Sequence, residues 1–355
     1  MATQAINEEK LGAFMNQLVS ELGATVGAAL VVTGDRLGLW KALAGAEGVT
    51  ARDLAEATGT NERYVREWLC AQAAGGYLEF DPSTRSFSLP PEHALALADE
   101  SSPFFVCGAF QSFASLVRDE PLIREAFVTG GGVGWHEHSH DLFEGTERFF
   151  RTGYAAHLVE EWLPALDGVV QKLERGASVA DVGCGLGAST ILMAQAFPAS
   201  TFSGYDYHEA SIDAARQRAK DARVSDRVQF EVASGQVFPG DGYDLVAMFD
   251  CLHDMGDPVG AARHVHSTLA PDGTWLIVEP FANDEIEDNL NPVGRVYYGA
   301  STLVCTPASL SQEVGLGLGA QAGEKRLHDV VTAGGFTRFR RAAETPFNLI
   351  LEARP

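Results

Sequence analysis

Basic charge is scarce in this sequence. Its 355 residues hold 26 Lys and Arg against 48 Asp and Glu, a formal net charge of -22. Phosphate binding needs a basic footprint, so this balance argues against nucleic acid and against anionic membranes as partners. Cysteine is also sparse. The five cysteines, Cys70, Cys107, Cys184, Cys251 and Cys305, are odd in number and show no C-x-x-C spacing. That pattern argues against a disulfide framework or a zinc ribbon and points to a reducing, cytoplasmic compartment. Long apolar runs are missing as well. The stretch Ala24 to Val32 is too short to cross a bilayer. The opening residues Met1 to Glu9 lack the basic segment that leads a signal peptide. There is no internal repeat and no low-complexity tract.

What is present is an ordinary globular composition, 46% hydrophobic and 21% charged, in a chain long enough for two domains and a large core. Asn7 to Leu43 reads as mostly helix, with Leu11, Phe14, Met15, Leu18, Val19 and Leu22 on one face. Thr50, with Asp53 three residues on, reads as a capping box, and Gly59 ends that helix. Asn61 caps a second helix, which Gly75-Gly76 stops. Tyr77 to Phe80 and Arg85 to Leu89 alternate around the turn Asp81-Pro-Ser-Thr, as a hairpin does. Helix, turn, helix and β-wing make a winged helix. Such a domain can read DNA, but residues 51–100 hold four Arg, no Lys and nine Asp or Glu. That field repels a duplex, so a packing and dimerisation role is favoured.

The most specific signal is Val179-Ala-Asp-Val-Gly-Cys-Gly-Leu-Gly-Ala188. Apolar residues lead into Gly183, Gly185 and Gly187, and Ser189 to Phe197 reads as the helix that follows. Glycines belong where a ligand touches backbone. Thr201 to Tyr205 reads as a second strand, with Asp206 at its carboxyl end, placed to accept from both hydroxyls of a ribose. The glycine spacing is G-x-G-x-G, whereas the dinucleotide fingerprint is G-x-G-x-x-G. Asp181 would repel a pyrophosphate and suits an ammonium group. Further strands read at Val228 to Val232, Tyr243 to Phe249 and Thr274 to Val278, and a closing pair at Phe336 to Ala342 and Phe347 to Ala353. Alternating strands and helices imply an α/β fold with a mostly parallel, doubly wound sheet, and the final pair implies an antiparallel hairpin at one edge.

The glycine run resembles motif I of the class I S-adenosylmethionine methyltransferases, and the resemblance extends over residues 176–355. It implies a Rossmann-like, seven-stranded sheet with S-adenosylmethionine as cofactor and S-adenosylhomocysteine as product. By the same resemblance Asp181, Gly183, Cys184, Gly185, Gly187 and Asp206 contact the cofactor. Asp250 lies near its methionine part, and Tyr207 covers the adenine. Where family members carry an acid after the third strand, this chain has Ala233-Ser234-Gly235, which leaves Ser234 to accept one hydrogen bond. The segment Leu252-His253-Asp254-Met-Gly-Asp257 resembles the Leu-His-Asp-x-x-Asp of small-molecule O-methyltransferases, with Met255 where the plant type has Trp. That resemblance implies His253 as general base. Glu279, ending the fifth strand, is the carboxylate that orients it or a charge facing solvent. A hydroxyl acceptor must lose a proton, which suits histidine. The other reading of His253 is a helix-entry residue bonded to backbone.

Residues 101–175 read as helices broken by the loop Thr129 to Gly134, bridging the two domains and able to cap the site. Trp135, His136, His140, Phe149, Tyr154 and Tyr297 are candidates to touch substrate. His136, His138 and His140 with Asp141 have alternating spacing, but no second ligand cluster follows, so no metal is expected. Gly315 to Gly323 follows no strand and lacks the Lys-Ser/Thr of a P-loop; it reads as a flexible turn between helices.

The expected organisation is a winged-helix and dimerisation domain at 1–100, a helical linker and lid at 101–175, and a methyltransferase domain at 176–355. The whole chain resembles bacterial methyltransferases of this two-domain type, which implies a homodimer built through the N-terminal helices. The expected activity is methyl transfer to a small-molecule acceptor, at oxygen first and at nitrogen, sulfur or carbon otherwise. The alternatives are a cofactor-sensing DNA-binding regulator and a non-methylating protein on the same fold.

Overall fold

The computed structural model describes residues 6–355. These fall into two compact units. One takes the chain up to Ser115 together with Asp141–Thr152; the other takes Leu116–His140 and Gly153–Pro355. Residues 101–175 are therefore shared between the units.

The first unit begins with helix α1 (Glu8–Arg36), capped by Asn7, and α2 (Leu39–Leu43). Helix α3 (Ala51–Thr58) starts at the Thr50–Asp53 capping box and ends on Gly59, and α4 (Glu62–Ala74) starts on Asn61. The wing is β1 (Glu79–Asp81) antiparallel to β2 (Ser86–Ser88), and Val49 bridges to Phe87 beside it. Two tryptophans organise this core. Trp40 and Trp68 meet edge to face at 4.6 Å. Their indole N–H groups donate to Val31 O at 3.1 Å and Leu30 O at 2.8 Å, which ties them to α1. Gly34 is glycine because a Cβ there would stand 2.5 Å from the Trp68 ring. On α4, Arg63 pairs with Glu67 and Arg66 with Glu62, so both basic groups of the would-be recognition helix are matched on their own surface.

Helix α1 is 29 residues long and mostly exposed; among the described residues it is the one helix long and apolar enough to cross a membrane by length and composition. Its apolar length exceeds the stretch Ala24 to Val32 that stands out in the sequence. Leu11, Phe14, Met15, Leu18, Val19, Leu22 and Val26 are all exposed along it. The unit is completed by α5 (Pro91–Leu97), α6 (Cys107–Leu116) and residues 141–152, where Arg148 binds Asp35 at 2.7 and 3.2 Å and Glu100 at 3.2 Å.

In the second unit come α7 (Glu120–Thr129), the later part of α8 (His140–His157) and α9 (Val169–Arg175). The sheet starts with β3 (Ser178–Val182), followed by α10 (Ala188–Ala196), β4 (Thr201–Asp206), α11 (Glu209–Asp221), β5 (Val228–Val232) and β6 (Tyr243–Phe249). Helix α12 (Pro258–Thr268) leads to β7 (Leu269–Pro280), then α13 (Pro292–Ala300), α14 (Thr306–Leu310) and α15 (Gly323–Ala333). The last strands are β8 (Arg338–Glu344) and β9 (Asn348–Arg354). The seven-stranded order is β5-β4-β3-β6-β7-β9-β8. Strands β3 to β7 run parallel, while β9 is antiparallel to both β7 and β8 and lies between them. Strand β7 extends beyond the expected Thr274 to Val278, because Leu269 already pairs with Tyr243 across an irregularity. Apolar side chains of β3, β6, β7 and β9 pack with α12 and α15 into the main core. In such a sheet ligands bind outside the carboxyl ends of the parallel strands, where the strand order reverses; here that is beside Val182.

Candidate active site

The turn after β3 is built from three glycines with different duties. All three have positive φ, at 76° for Gly183, 51° for Gly185 and 79° for Gly187. A Cβ on Gly183 would stand 2.6 Å from Cys251 Sγ, and one on Gly187 would stand 2.7 Å from the Phe230 ring. A Cβ on Gly185 would meet nothing within 4 Å. Two of the glycines thus serve packing, and the middle one leaves backbone facing open space. The amides of Gly183 and Cys184 donate to Tyr205 O at 2.7 and 3.0 Å, which locks the turn to β4. The Cys184 side chain is buried, so that residue offers only backbone to a ligand.

Asp181 is fully buried beneath this turn. Its Oδ2 accepts from Ser189 Oγ and Thr190 Oγ1, both at 2.6 Å. Its Oδ1 is buried and accepts nothing. Burial pushes its pKa up to about 6, against the pull of the two hydroxyls. An unsatisfied buried carboxylate oxygen is costly, and a cationic ligand group would relieve it. Asp206, at the end of β4, accepts from Gly185 N at 3.0 Å and His208 N at 2.9 Å, so its carboxylate is fixed at the rim of the turn. Burial raises its pKa too. Tyr207 follows it and is half exposed. Ser234 is half-buried after β5, and Gly235 beside it lies against the Met255 side chain. The residues therefore fit an elongated ligand with a cationic end and a hydroxyl-bearing ring.

A second cluster stands where β6 and β7 end. His253 is buried on the short turn Leu252–Asp254. Its Nδ1 is in short contact with Glu279 Oε2, while Glu279 Oε1 accepts from Leu252 N at 3.0 Å. Glu279 is itself buried. It therefore faces His253 and not solvent, and it fixes the ring. Asp254 Oδ1 lies 3.1 Å from Nε2. Burial opposes a charged ring, but Asp254 and Glu279 together more than offset this and hold the pKa well above that of an ordinary histidine. The His253 carbonyl accepts from Gly319 N at 3.2 Å. The glycine stretch between α14 and α15 is thus fastened to the site, also through Leu316 N to Gly256 O at 2.9 Å.

Asp250 connects the clusters. It has φ of 50°, a left-handed conformation that Asp tolerates at some cost. Its oxygens accept from Tyr154 Oη at 3.1 Å and Asn348 Nδ2 at 3.2 Å. Burial, with Glu279 nearby, pushes its pKa up to about 8. Asn348 carries no motif and its role was invisible in sequence; only the placement of β9 next to β7 brings it here.

The other sequence candidates do not gather at one point. Tyr154 packs against Phe249 at 5.2 Å and reaches the site through Asp250. Tyr297 is buried and donates to Phe347 O at 2.7 Å. Trp135 is half-buried on a 3-10 turn, and His136 and His140 are exposed. Phe149 lies in the first unit. The three histidines are not on a strand, and His138 alone is buried, its Nδ1 2.7 Å from Asp119 Oδ2.

Comparison with known proteins finds a match in each half of the chain. Residues 25–99 match the Rv2258c-like winged HTH domain, and residues 180–275 match a methyltransferase domain. The chain joins a winged helix to a methyltransferase domain. Among curated relatives, it is 31% identical over 154 residues to 27-O-demethylrifamycin SV methyltransferase of Amycolatopsis mediterranei, a match covering 41% of this chain and 48% of that protein. It is 32% identical over 108 residues to trans-aconitate 2-methyltransferase of Paracidovorax citrulli, covering 30% of this chain and 40% of that one. The chain thus spans less than half the length of these curated relatives. Among solved structures, mitomycin 7-O-methyltransferase superposes with a TM-score of 0.71 at 21% identity, covering 98% of this chain and 100% of the other. Human N-acetylserotonin methyltransferase in complex with SAM superposes with a TM-score of 0.70 at 15% identity, covering 100% and 99%. At these identities the likeness establishes the fold of the described residues and no more. The matched methyltransferase segment holds the glycine turn and His253, and Glu279 follows just beyond its end.

Proposed function

We propose that this chain is a methyltransferase that takes a methyl group from S-adenosylmethionine and places it on a hydroxyl oxygen of a small molecule. The observation that carries the reading is the pairing, at adjacent strand ends, of a glycine turn over an unsatisfied buried carboxylate with a histidine held by a buried glutamate. Asp181 Oδ1 receives the ammonium group of the cofactor's methionine end, Asp206 the ribose hydroxyls, and the backbone at Gly185 and Cys184 lines the path between. Tyr207 and Ser234 serve the adenine, and Asp250 borders the methionine end. When bound, the cofactor supplies an electrophilic methyl on a positively charged sulfur. In its neutral form His253 takes the acceptor's hydroxyl proton at Nε2, and the field of Glu279 and Asp254 favours the imidazolium so formed. The proton later passes to water. Much of the remaining acceleration comes from holding the two reactants in line. Tyr154, which reaches Asp250, and Tyr297 are the residues we assign to the acceptor side.

The winged helix acts in this reading as a packing module. The paired arginines of α4 and the acidic field of the domain speak against the DNA-binding alternative. The exposed apolar residues of α1 support a homodimer formed through that helix, to be checked by light scattering. The five unpaired cysteines suit a reducing cytoplasm. The catalytic domain occupies 176–355, and parts of 101–175 contribute to its cap.

The test is transfer of an isotope-labelled methyl from S-adenosylmethionine into a small-molecule extract, read by mass spectrometry. A labelled ether identifies acceptor and atom; label on nitrogen, sulfur or carbon refutes the oxygen assignment, and binding without transfer refutes methyl transfer. With that acceptor, His253→Ala is expected to lower turnover about 10²–10⁴-fold while cofactor affinity is retained. Undiminished turnover would remove His253 from the base role.

A further inference from the structure

We propose that His253, Asp254 and Cys305 form a binding site for a borderline-soft divalent cation of the zinc and cobalt class. Cys305 ends the π-helical turn Ser301–Cys305 and is buried. That turn brings its thiol against the strand-end cluster from a segment 51 residues further along the chain than Asp254, so sequence spacing gave no sign of it. The ligand atoms of the three side chains all lie within 4.8 Å of one another.

The geometry is close to that of a four-coordinate site with one open position. Ligands held 2.0–2.3 Å from a tetrahedral metal stand about 3.3–3.8 Å apart. His253 Nε2 and Asp254 Oδ1 are 3.1 Å apart already, and the sulfur needs to move inward by no more than about 1 Å. Asp254 Oδ1 is buried, faces Nε2 at 3.1 Å and is held by no backbone or hydroxyl donor. The outer support is in place as well. Metal-binding histidines usually give their other ring nitrogen to a carboxylate, which fixes tautomer and orientation. Glu279 does this for Nδ1, and its own second oxygen is anchored by Leu252 N. The mixed nitrogen, sulfur and oxygen set suits zinc or cobalt better than magnesium or calcium, which prefer oxygen alone. Binding displaces the thiol proton of Cys305 and any proton on Nε2 to solvent. The thiolate and carboxylate then balance the two charges of the ion.

A cation in this position occupies the nitrogen that the methyl-transfer reading needs as proton acceptor. That consequence rests on the proposed function, and the binding itself does not. The test is therefore a titration of the full chain, metal-free and reduced, with Co²⁺ alone. A thiolate-to-cobalt charge-transfer band in the near ultraviolet, with visible bands of a tetrahedral centre, is expected to saturate at one cobalt per chain and to be displaced by Zn²⁺. Cys305→Ser is expected to abolish the charge-transfer band. Glu279→Gln is expected to weaken cobalt binding roughly 10–100-fold. Absence of the band, or its persistence in Cys305→Ser, overturns the site. Should circular dichroism show that Cys305→Ser is unfolded, Asp254→Asn decides: binding weakened roughly tenfold or more supports the site, and unchanged binding overturns it. Calorimetry of S-adenosylmethionine binding, run separately, reports on the methyltransferase reading alone.

Discussion

Asp250 offers a quantitative test of how the strand-end cluster is charged. Its carboxyl is buried, and its pKa rises from 3.8 to about 8. Between those values the folded protein holds a proton that the unfolded chain does not. An acid raised in this way stabilises the fold fully below its unfolded pKa, and that contribution is lost as pH climbs toward the folded value. The slope is about 1.4 kcal/mol per pH unit for one proton, so about 2.7 kcal/mol is lost between pH 5 and pH 7 from Asp250 alone. Asp250→Asn keeps the shape of the neutral acid, suits the left-handed backbone and titrates nowhere in this range. Tyr154 can turn its hydroxyl to accept from the new amide. Denaturant unfolding of both proteins at pH 5, 6 and 7 gives two stability curves. The contribution of Asp181, raised to about 6, is common to both and cancels in the difference. The variant is expected to gain on the natural protein by about 2–3 kcal/mol over the two pH units. Parallel curves would mean that Asp250 is ionised in the folded protein, and that its contacts with Tyr154 and Asn348 are those of a carboxylate.

The remaining predictions concern the glycine turn and its acid. Affinity for S-adenosylmethionine, measured by calorimetry, is expected to fall as pH drops through about 6 and Asp181 takes up a proton. Asp181→Asn should bind more weakly at pH 7 and lose that pH dependence; an unchanged profile would refute the ammonium role. Gly187→Ala is expected to cost about 2–4 kcal/mol of stability, from its positive φ and the close Phe230 ring. Gly185→Ala should cost only about 1–2 kcal/mol. It is nonetheless expected to impair cofactor binding more than its stability loss explains. Equal effects of both on thermal unfolding would show that the space beside Gly185 is not open.

The parts of the molecule that were readable in sequence are those governed by local chemistry. Thr50 and Asp53 form the capping box, Asn61 caps the next helix, and the sheet has the expected parallel run and closing hairpin. Periodicity and caps act over a few residues, so they leave marks in the string itself. The contacts that complete the strand-end cluster act over long separations. Asn348 reaches Asp250 across 98 residues, and Tyr154 does so across 96. Neither carries a motif, since a single Asn or Tyr has many uses. Glu279 was ambiguous for the same reason. Its burial, and so its turn toward His253, depends on β9 covering the outer side of β7. The alternating His136, His138 and His140 lie on a 3-10 turn followed by a helix, and His138 alone of the three is buried.

The position of β9 also constrains the order in which the protein can assemble. Strand β8 has no partner in the sheet other than β9, and β9 alone joins it to β7. The earlier strand must therefore wait for the later one. As the chain leaves the ribosome, the five parallel strands can associate while β8 remains unattached. The sheet closes only when β9 inserts between its neighbours. That same insertion delivers Asn348 to Asp250. A nascent chain that has not yet reached β9 has its glycine turn but lacks a finished strand-end cluster, so the site becomes whole in the last step of sheet formation.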